Sequence, residues 1–292
     1  MSKISAYILT KNEEKYIRRC LESIKDVVDE IVIVDGFSSD KTIEICKEYT
    51  DKIFLHKFSG NFAEERTISV SHTSYDWILQ IDADETLSED LKKELRNLTQ
   101  EERYVAHSFA RRNYYDKNRK SWTKFAYFPD YQPRLFRKDK VKYNLSRTVM
   151  EEAIIDGEIN YLPTNLYMNH YVPNKYAFSN FKNQHLGSLK LQSKWYKKDK
   201  PELFYIIKMF PVFVRHFIYM FLQNNWYKDG FIGFKASIIL ALYMAMVNYY
   251  IAFEKDIILI PLKIFEINNP FQKELDSQKE KDWDKTLYKR NT

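Results

Sequence analysis

Short runs of β-branched and apolar residues alternate with stretches of helical periodicity over the first part of the chain. Four runs have the length and composition of buried strands: 4–9, 30–35, 52–56 and 76–82. Between these runs apolar residues recur at helical spacing, and a further helix is predicted from Ser88 to Leu98. Strands that alternate with helices in this way are typical of parallel βαβ units. We therefore predict an α/β fold, in which a mostly parallel, Rossmann-like sheet is flanked by helices.

Polar residues mark the ends of these runs. Thr10 is followed at the third position by Glu13, a capping-box pattern that predicts the start of the first helix, and Asp40 is a candidate cap for the second. Consecutive right-handed βαβ units bring the carboxyl ends of their strands to one edge of the sheet, where such sheets bind ligands. The polar residues at those ends are Thr10, Asp35, His56, Asp82 and Asp84. The pattern thus predicts a single crevice formed by four turns.

The second half of the chain has a different pattern. The β-like runs from 103 to 170 are irregular, which predicts added strands that close over the edge of the sheet. Two later runs, 203–222 and 236–253, are apolar on nearly all sides and predict long helices. The residues after Asn268 are polar and charged, which is typical of a tail without a core of its own.

Charge is unevenly distributed along the chain. Within a net charge of +6, residues 1–170 contain 27 basic and 29 acidic side chains, whereas residues 171–292 contain 19 basic and 11 acidic ones. A basic segment can bind nucleic acid or an anionic membrane. Here long apolar and aromatic-rich runs accompany the charge, so we expect a membrane surface and no nucleic acid as the partner.

The run 236–253 has no charged residue, and its length is the lower limit for a membrane span. It is alternatively a buried helix or an oblique helix in one leaflet, and its interspersed tyrosines favour the oblique helix. The N-terminal residues lack the apolar core of a secretory signal, and Cys20 and Cys46 lack the spacing of zinc ligands. We therefore expect a cytoplasmic protein, peripheral or monotopic at the inner face of the cell membrane.

The most specific chemical pattern is Asp82-Ala83-Asp84-Glu85, which follows a predicted buried strand. Carboxylates two positions apart on an extended chain project to the same side. Their oxygens suit Mg²⁺ or Mn²⁺, and diphosphate oxygens can complete the octahedron of such an ion. The ion would neutralise the charge of a departing nucleoside diphosphate. The alternative is a solvated acidic turn that caps the next helix.

Four further positions are candidates for the same chemistry. Asp35 ends an apolar strand and either accepts hydrogen bonds from a nucleobase or ribose or forms a local turn. Arg66 suits a diphosphate, because its fork of donors matches phosphate oxygens, or it is an exposed partner of a nearby glutamate. Glu151 or Glu152 is a candidate base for an attacking hydroxyl, with surface charge as the alternative. His170 is a candidate third metal ligand or a hydrogen-bonded structural histidine.

Seven segments, in order along the chain, resemble glycosyltransferase family 2, which has the GT-A fold. The resemblance is greatest to the branch of lipopolysaccharide core β-glucosyltransferase-like enzymes. The segments are ISAYILTKNEEKYIRRCLESI, DEIVIVDGFSSDKTIEI, NFAEERTIS, DWILQIDADETLS, QPRLFRKD, VMEEAIIDGEINYL and NHY. An ordered set of this kind is more specific than any one motif. It implies transfer of a sugar from a nucleotide diphosphate.

The resemblance also implies roles for matching residues. The donor nucleotide sugar is expected to contact Thr10, Glu13, Asp35, Arg66, Asp82, Ala83 and Asp84. Of the two aspartates in the DxD element, Asp84 is expected to carry most of the metal binding. VMEEAIIDG aligns with a Val-His-Glu pattern, which makes Glu151 and not Glu152 the catalytic base. Met150 replaces the histidine of that pattern, and Thr67 stands where asparagine is usual.

These expectations give each part of the chain a role. The expected parts are a catalytic domain over 1–195, with a nucleotide-sugar-binding half at 1–100 and an acceptor half at 101–195, an apolar and basic membrane-associating region over 196–268, and a polar tail over 269–292.

We expect an inverting hexosyltransferase that uses a UDP-hexose and Mg²⁺ or Mn²⁺ to glycosylate a lipid-linked or lipopolysaccharide-type glycan. The alternatives are a transferase that glycosylates a cysteine or serine of a peptide, and a membrane scaffold without activity. A nucleotidyltransferase or a dinucleotide-dependent oxidoreductase is disfavoured, because the six glycines form no glycine-rich loop.

Overall fold

The computed structural model describes residues 2–115, 121–126, 128–146, 151, 153–171, 189, 192–193 and 198–253. Two residues singled out above, Met150 and Glu152, and the polar tail 269–292 lie outside the described residues. Every residue assigned above to the donor site, the metal or catalysis lies within them.

Strands dominate the first two thirds of the chain, and the longest helices follow them. The strands are β1 (Ile4–Thr10), β2 (Glu30–Asp35), β3 (Ile53–Leu55), β4 (Trp77–Gln80), β5 (Glu85–Leu87), β6 (Ala106–Tyr114), β7 (Asp130–Arg137), β8 (Val141–Tyr143), β9 (Ala153–Ile155), β10 (Ile159–Tyr161) and β11 (Tyr167–Tyr171). The helices with described bounds are α1 (Ile17–Ile24), α2 (Thr42–Cys46), α3 (Phe62–His72), α4 (Glu89–Leu98), α5 (Glu202–Ile218) and α6 (Gly230–Phe253). The strands predicted between 103 and 170 are therefore present.

One large sheet has the strand order β3-β2-β1-β4-β7-β6-β11-β5, with β10 also paired to β6. The strands β1 to β4 are parallel to their neighbours in this group, as the βαβ pattern predicts, and β6 is parallel to β10 and β11. Strand β7 runs antiparallel between β4 and β6, and β5 runs antiparallel to β11. The predicted class, a mostly parallel GT-A-type sheet flanked by helices and followed by apolar helices, is confirmed.

Apolar side chains cover both faces of this sheet. Because residues alternate along a strand, Ile4 and Ile8 of β1 pack with α1 and α4 on one face, while Tyr7 packs with Ala63 of α3 on the other. Each isoleucine is fully buried. Full burial of such a side chain contributes about 1.5–3 kcal/mol relative to exposure. The two cores fix the sheet, whose carboxyl edge carries the polar residues.

The predicted capping box is wrong. Helix α1 begins at Ile17, well after Thr10, and no side chain caps it. Thr10 instead donates its hydroxyl hydrogen to Oδ2 of Asp35 at 2.8 Å, because the parallel pairing of β1 and β2 places the two residues side by side. The carbonyl of Glu13, and not its carboxylate, accepts the backbone N–H of Ile17 at 2.9 Å.

Three other helices begin beside a side-chain acceptor. Asp40 accepts the N–H of Thr42 at 3.0 Å before α2, and Asn61 accepts the N–H of Ala63 at 3.0 Å before α3. Ser88 caps α4 by accepting a backbone N–H at 3.3 Å. A cap of this kind contributes about 1 kcal/mol. Because Ser88 fills this role, the acidic turn before it is not the cap of the next helix.

The strand predicted over 76–82 is shorter in the structure. Strand β4 ends at Gln80, and Glu85–Leu87 forms a separate strand that pairs with β11. The residues between them, Asp82 to Asp84, therefore form a turn that joins two distant parts of the sheet. This turn lies where the parallel and the added strands meet.

The two apolar runs form helices that pack side by side, α5 and α6. Tyr219–Gln223, a π-helical turn, and Trp226–Asp229, a 3₁₀ turn, connect them. The segments Glu202–Gln223 and Trp226–Phe253 are long and apolar enough to cross a membrane, by length and composition only. Glycine at position 233 allows close packing, since a Cβ there would lie 1.8 Å from the carbonyl oxygen of Trp226.

Asp229 connects the helical region to the β-rich part of the chain. Its carboxylate accepts the backbone N–H groups of Lys124, Phe125 and Ala126 at 2.9, 2.8 and 2.7 Å. Ala126 also packs with Trp226 in a small apolar cluster. A carboxylate that accepts several backbone N–H groups holds a loop firmly, because each bond is charge-assisted. The loop 121–126 and the start of α6 are thus fixed to each other.

Candidate active site

Asp35 is completely buried at the carboxyl end of β2 and holds the turn that follows it. Its carboxylate accepts the hydroxyl of Thr10 at 2.8 Å and the backbone N–H of Ser38 at 2.7 Å. Its carbonyl accepts the N–H of His56 at 2.9 Å. The His56 ring in turn contacts the buried Glu65, with 2.9 Å between Nδ1 and Oε2. The structure brings Thr10, Asp35 and His56 together, and Asp35 forms a local turn there.

The loop after β1 is bonded to the loop after β2. The N–H of Asn12 donates to the Ser38 hydroxyl at 2.8 Å, and the Asn12 side chain accepts the N–H of Ser39 at 2.8 Å. The N–H of Glu13 donates to the Thr42 hydroxyl at 2.7 Å. Asn12 has a φ of 57°, a left-handed conformation that asparagine tolerates better than most residues. Both loops are therefore held at one edge of the sheet.

The Glu13 carboxyl is half-buried in an acidic environment. Burial, followed by the negative charges of Asp84, Asp40 and Asp82, raises the pKa of Glu13 from 4.5 to about 7. Glu13 therefore lies in the electrostatic field of the DxD aspartates.

Asp82 lies between two buried arginines. Its Oδ1 is 2.7 Å from Nη2 of Arg66, and its Oδ2 is 3.1 Å from Nη2 of Arg134. Burial alone raises the pKa of Asp82, but Arg66 and Arg134 outweigh this effect and hold the pKa well below its usual range. Asp82 is thus permanently charged, and both of its oxygens are engaged by guanidinium groups.

The ionic network extends beneath the turn. Nη2 of Arg134 is also 2.8 Å from Oε1 of Glu85, whose side chain has no exposed surface. Arg111 contacts the same Glu85 oxygen at 3.2 Å and Asp130 at 2.6 Å. Removal of one partner from such a buried pair typically costs about 3–5 kcal/mol, because an uncompensated charge remains. The network fixes the DxD turn on β6 and β7.

Arg66 connects Asp82 to the predicted base. Its Nε is 3.1 Å from Oε1 of Glu151, so one guanidinium bridges the two carboxylates. The side chains of Arg66 and Glu151 are 8% and 13% exposed, so this bridge is shielded from bulk water. Nη1 of Arg66 is buried and has no hydrogen-bond partner within the described part of the chain.

Asp84 faces His170 across the turn. Nε2 of His170 is 3.3 Å from Oδ2 of Asp84, and Nδ1 is 2.7 Å from Oδ1 of Asn113. The bond between Nδ1 and the Asn113 oxygen orients the ring, so that Nε2 faces the Asp84 carboxylate. An imidazole nitrogen and a carboxylate oxygen that face each other in this way are suitable ligands for one cation. Ala83 is buried between the two aspartates.

The side chains of Asp84 and His170 fit a divalent cation whose remaining ligands come from a substrate and water. Mg²⁺ is commonly bound by one or two carboxylates together with substrate phosphates and water, and Mn²⁺ also accepts imidazole and carboxylate. Asp84 and His170 offer one oxygen and one nitrogen, whereas Asp82 turns its oxygens to the arginines. Within the described ranges, no group of three or more histidine, cysteine or acidic side chains is arranged to hold a metal ion.

Comparison with known families shows to which family the chain belongs. Residues 5–154 match the sequence profile described as "Glycosyl transferase family 2". The match covers half of the chain and spans the site from Thr10 to Glu151. The chain belongs to glycosyltransferase family 2.

Individual relatives of this family 2 chain agree. "Uncharacterized glycosyltransferase RT0209" of Rickettsia typhi is 37% identical over 110 residues, a match that spans 37% of the length of each chain. The chain thus matches little more than a third of that relative's length. "Lipopolysaccharide core biosynthesis glycosyltransferase LpsC" of Rhizobium meliloti is 27% identical over 250 residues, which cover 82% of this chain and 88% of LpsC. This similarity confirms the predicted resemblance to the lipopolysaccharide core branch.

Among solved structures, S. aureus TarS 1–349 matches the family 2 chain with a TM-score of 0.44 at 14% identity, over 88% of this chain and 94% of TarS 1–349. Glucosyl-3-phosphoglycerate synthase from Mycobacterium tuberculosis in complex with Mn²⁺ and UDP-glucose matches with a TM-score of 0.34 at 22% identity, over 38% of this chain and 44% of the synthase.

Sequence reasoning missed several residues of the family 2 site. Arg134 and Arg111 hold Asp82 and Glu85, and Asn113 orients His170. Arg134 lies within QPRLFRKD, a segment that carries the family resemblance, but the resemblance assigned no role to this arginine. Arg111 and Asn113 alternate along β6, which places both on one side of the strand. Their partners could be identified only from the strand order.

The raised pKa of Glu13 predicts a pH dependence of stability. A carboxyl whose pKa is higher in the folded state stabilises the fold fully below its unfolded pKa, and this contribution is lost as the pH rises from 4.5 to about 7. We expect Glu13→Gln to remove this loss, so that its free energy of unfolding falls less between about pH 5 and pH 8 than that of the wild type.

Urea denaturation at both pH values measures the difference. Glu14→Gln is the matched control, because the neighbouring Glu14 is exposed, and it should retain the pH dependence of the wild type. The same pH dependence in Glu13→Gln and wild type would contradict the assignment.

Proposed function

We propose that the chain is an inverting, metal-dependent glycosyltransferase that transfers a hexose from UDP to a glycan acceptor. One observation carries the proposal: Arg66 bridges Asp82 and Glu151 through a single guanidinium, at 2.7 and 3.1 Å. A candidate base and a candidate diphosphate ligand thereby meet at the DxD turn. Within this proposal residues 1–100 bind the donor and residues 101–195 bind the acceptor.

The donor diphosphate would bind beside Arg66. Nη1 of Arg66 is a buried donor without a protein partner among the described residues, and a phosphate oxygen is a suitable acceptor for it. Asp84 and His170 would hold the metal ion, with Glu13 near them. When bound, Mg²⁺ or Mn²⁺ supplies positive charge that stabilises the released diphosphate. Thr10 and Asp35 shape the turn that would receive the nucleoside, through the bonds described above.

Glu151 is the proposed general base. The acceptor hydroxyl loses its proton to Glu151 while its oxygen attacks the anomeric carbon, and the bond from that carbon to the diphosphate oxygen breaks. One direct displacement inverts the configuration at the anomeric carbon. Arg66 holds Glu151 by one oxygen at 3.1 Å, which leaves the other oxygen of the carboxylate to accept the proton.

The acceptor is proposed to be a glycan of the cell envelope. LpsC, which matches 82% of this chain, is described as a glycosyltransferase of lipopolysaccharide core biosynthesis. A scaffold without activity would not need the charged residues Asp82, Asp84 and Glu151 in this arrangement.

The helical region is proposed to bind the cytoplasmic face of the membrane. The outer side of α5 exposes Leu203, Ile207 and Phe210 by 64, 63 and 75%, a contiguous apolar surface on neighbouring turns. Lys208 and Arg215 on the same helix suit anionic headgroups. The α5 segment is only 11% buried, in contrast to 44% for the α6 segment. We propose that α5 lies in one leaflet and that α6 connects it to the catalytic part.

UDP binding should depend on metal and on Asp84. Calorimetric titration of UDP into the full chain should detect binding with Mn²⁺ and much weaker binding without it. Asp84→Ala should weaken UDP binding by at least about tenfold, since it removes a metal ligand. GDP serves as the nucleotide control. Asp90→Ala changes an exposed aspartate of α4 and should leave the affinity unchanged.

Either of two results would reject this assignment. Equal UDP affinity with and without Mn²⁺ and in Asp84→Ala would remove the proposed metal ligand. Failure of well-folded protein to bind either nucleotide would favour a scaffold.

Glu151→Gln should lower the rate of UDP release from a UDP-hexose, with water as the acceptor, by about 10²–10⁴-fold. The dissociation constant of UDP should change little, because the amide oxygen of glutamine can still accept from Arg66. Glu158→Gln, at an exposed glutamate with its own surface arginine, is the control and should retain the wild-type rate. A wild-type rate in Glu151→Gln rules out Glu151 as the base.

Membrane binding should depend on the outer side of α5. We expect the double variant Ile207→Asn/Phe210→Asn to lower the partition coefficient onto vesicles of phosphatidylglycerol and phosphatidylcholine by at least about tenfold, because two apolar anchors are lost. Leu55→Asn/Phe58→Asn changes two exposed apolar residues far from α5 in sequence and should bind as the wild type does. Sedimentation with vesicles measures the bound fraction. Equal partition of both double variants would contradict the membrane surface on α5.

A further inference from the structure

A group of aromatic residues lies beside the DxD turn and takes no part in the donor site. Tyr114 and Tyr171 are register partners at the carboxyl ends of the parallel strands β6 and β11, and their rings stack with centroids 5.4 Å apart. The N–H of Tyr171 donates to the carbonyl of Asp84 at 3.0 Å. Open α/β sheets bind ligands at the carboxyl ends of parallel strands. The pair therefore lies at a ligand-binding edge, next to the proposed metal ligand.

Two arginines stack on aromatic rings of this group. The Arg19 guanidinium lies 3.5 Å from the centroid of the Tyr171 ring, and the Arg112 guanidinium lies 3.4 Å from that of Tyr167 and 4.7 Å from that of Trp122. These six residues, Arg19, Arg112, Tyr114, Trp122, Tyr167 and Tyr171, are called the arginine–tyrosine cluster below. All six are half-buried.

Arg112 differs from its neighbour Arg111 in its partners. Arg111 pairs with Glu85 and Asp130, whereas Arg112 forms no ion pair with a carboxylate of the described residues. Its contacts are the aromatic rings and the hydroxyl of Tyr114, and its Nε is buried without an acceptor among the described residues. A half-buried cation to which the described part of the chain offers no counter-ion is costly to maintain. An anionic ligand would supply the missing charge.

Arg112 does not lie among the residues that support the DxD turn. Side chains alternate along a strand, so Arg112 and Tyr114 project to the side of β6 opposite Arg111 and Asn113. Arg111 and Asn113 support the DxD turn and His170. Arg112 and Tyr114 therefore project away from the two β6 side chains that support the DxD turn and His170. The backbone N–H of Tyr171 connects the cluster to the carbonyl of Asp84.

The cluster is also held in place from outside the sheet. The backbone of Trp122 pairs with Tyr114, and the nearby N–H groups of Lys124, Phe125 and Ala126 are bound by Asp229. The Trp122 ring is thereby fixed against Arg112 without a ligand. A site whose rings and guanidinium groups are already positioned loses little freedom when it binds.

We propose that the arginine–tyrosine cluster is an acceptor subsite for an anionic saccharide, a sugar that carries a carboxylate or a phosphate. Aromatic faces pack against the C–H surface of a sugar ring, and the planar guanidinium groups, held flat on those faces, direct their N–H edges to an oxyanion. The proposal rests on the proposed transferase function and names the chemical class of its acceptor. The subsite holds a part of the acceptor outside the reacting centre.

Saturation-transfer difference NMR on the full chain tests the subsite. UDP and Mg²⁺ are present at saturating concentration, so that the diphosphate site is blocked. The probes are methyl β-glucuronide, glucose 6-phosphate and the neutral methyl β-glucoside, each at about 20 mM, since single sugars bind in the millimolar range. We expect at least one anionic probe to give a signal several-fold stronger than the neutral one.

Variants connect that signal to Arg112. Arg112→Gln should abolish the preference for the anionic probe, and Arg112→Lys, which keeps the charge but not the planar fork, should reduce it. Arg103→Gln is the matched control, because Arg103 also lies over a tyrosine ring but is exposed and paired with Glu158. It should retain the full preference. A response to the glucuronide alone or to the phosphate alone supports the subsite and identifies the anion.

Three results overturn the inference: equal signals from all three probes, no signal from any of them, or a preference that persists in both Arg112 variants. UDP affinity, measured on the same samples by calorimetry, separates this failure from failure of the proposed function. Normal UDP binding without an Arg112-dependent preference rejects the subsite and leaves the transferase proposal intact. Loss of UDP binding in the wild type rejects the transferase proposal instead.

Discussion

The ion pairs of Asp82 with two buried guanidinium groups are the constraint on which the rest of the site depends. Arg66 comes from α3 on one face of the sheet, and Arg134 comes from β7, an antiparallel strand inserted beside β4. A charge in this position is tolerated only when both partners are present, since a buried ion without compensation is strongly unfavourable. The ionic network thus requires that α3, β4 and β7 be assembled together. The turn that carries Asp84 is a product of that assembly.

Local patterns in the sequence predicted the elements of the fold well where one periodicity dominates. The strands at 4–9 and 30–35 follow from their short apolar runs, and the helices α5 and α6 follow from two long runs that are apolar on nearly all sides. The capping box at Thr10 was wrong because a long-range partner, Asp35, takes the hydroxyl that the local pattern assigns to the helix. Strand β5 was missed because three residues carry too little periodicity to be distinguished from a turn.

The residues of the site were predictable where the chain itself brings them to the sheet edge. Thr10, Asp35 and Asp82 follow parallel strands, whose topology is implied by the βαβ pattern. Arg111, Asn113 and Arg134 lie on added strands whose order and direction no local signal specifies. For the same reason, the contrast between Arg111 with two carboxylates and Arg112 with none appears only once the sheet is assembled. The resemblance to the family selected Glu151 over Glu152, His170 was a candidate from its residue type, and the packing supplied the partners of both.

Because Asp229 binds the loop 121–126, these two parts of the chain have to be exchanged together in a hybrid protein. The carboxylate is at the start of α6, while the three N–H groups that it binds are about a hundred positions earlier. A chimera that takes its helical region from another family member therefore has to take the loop 121–126 from the same parent. If the two are separated, the graft leaves either three unsatisfied N–H groups or a carboxylate with no loop to bind. In such hybrids, the segments that must come from the same parent are therefore far apart in sequence but adjacent in space.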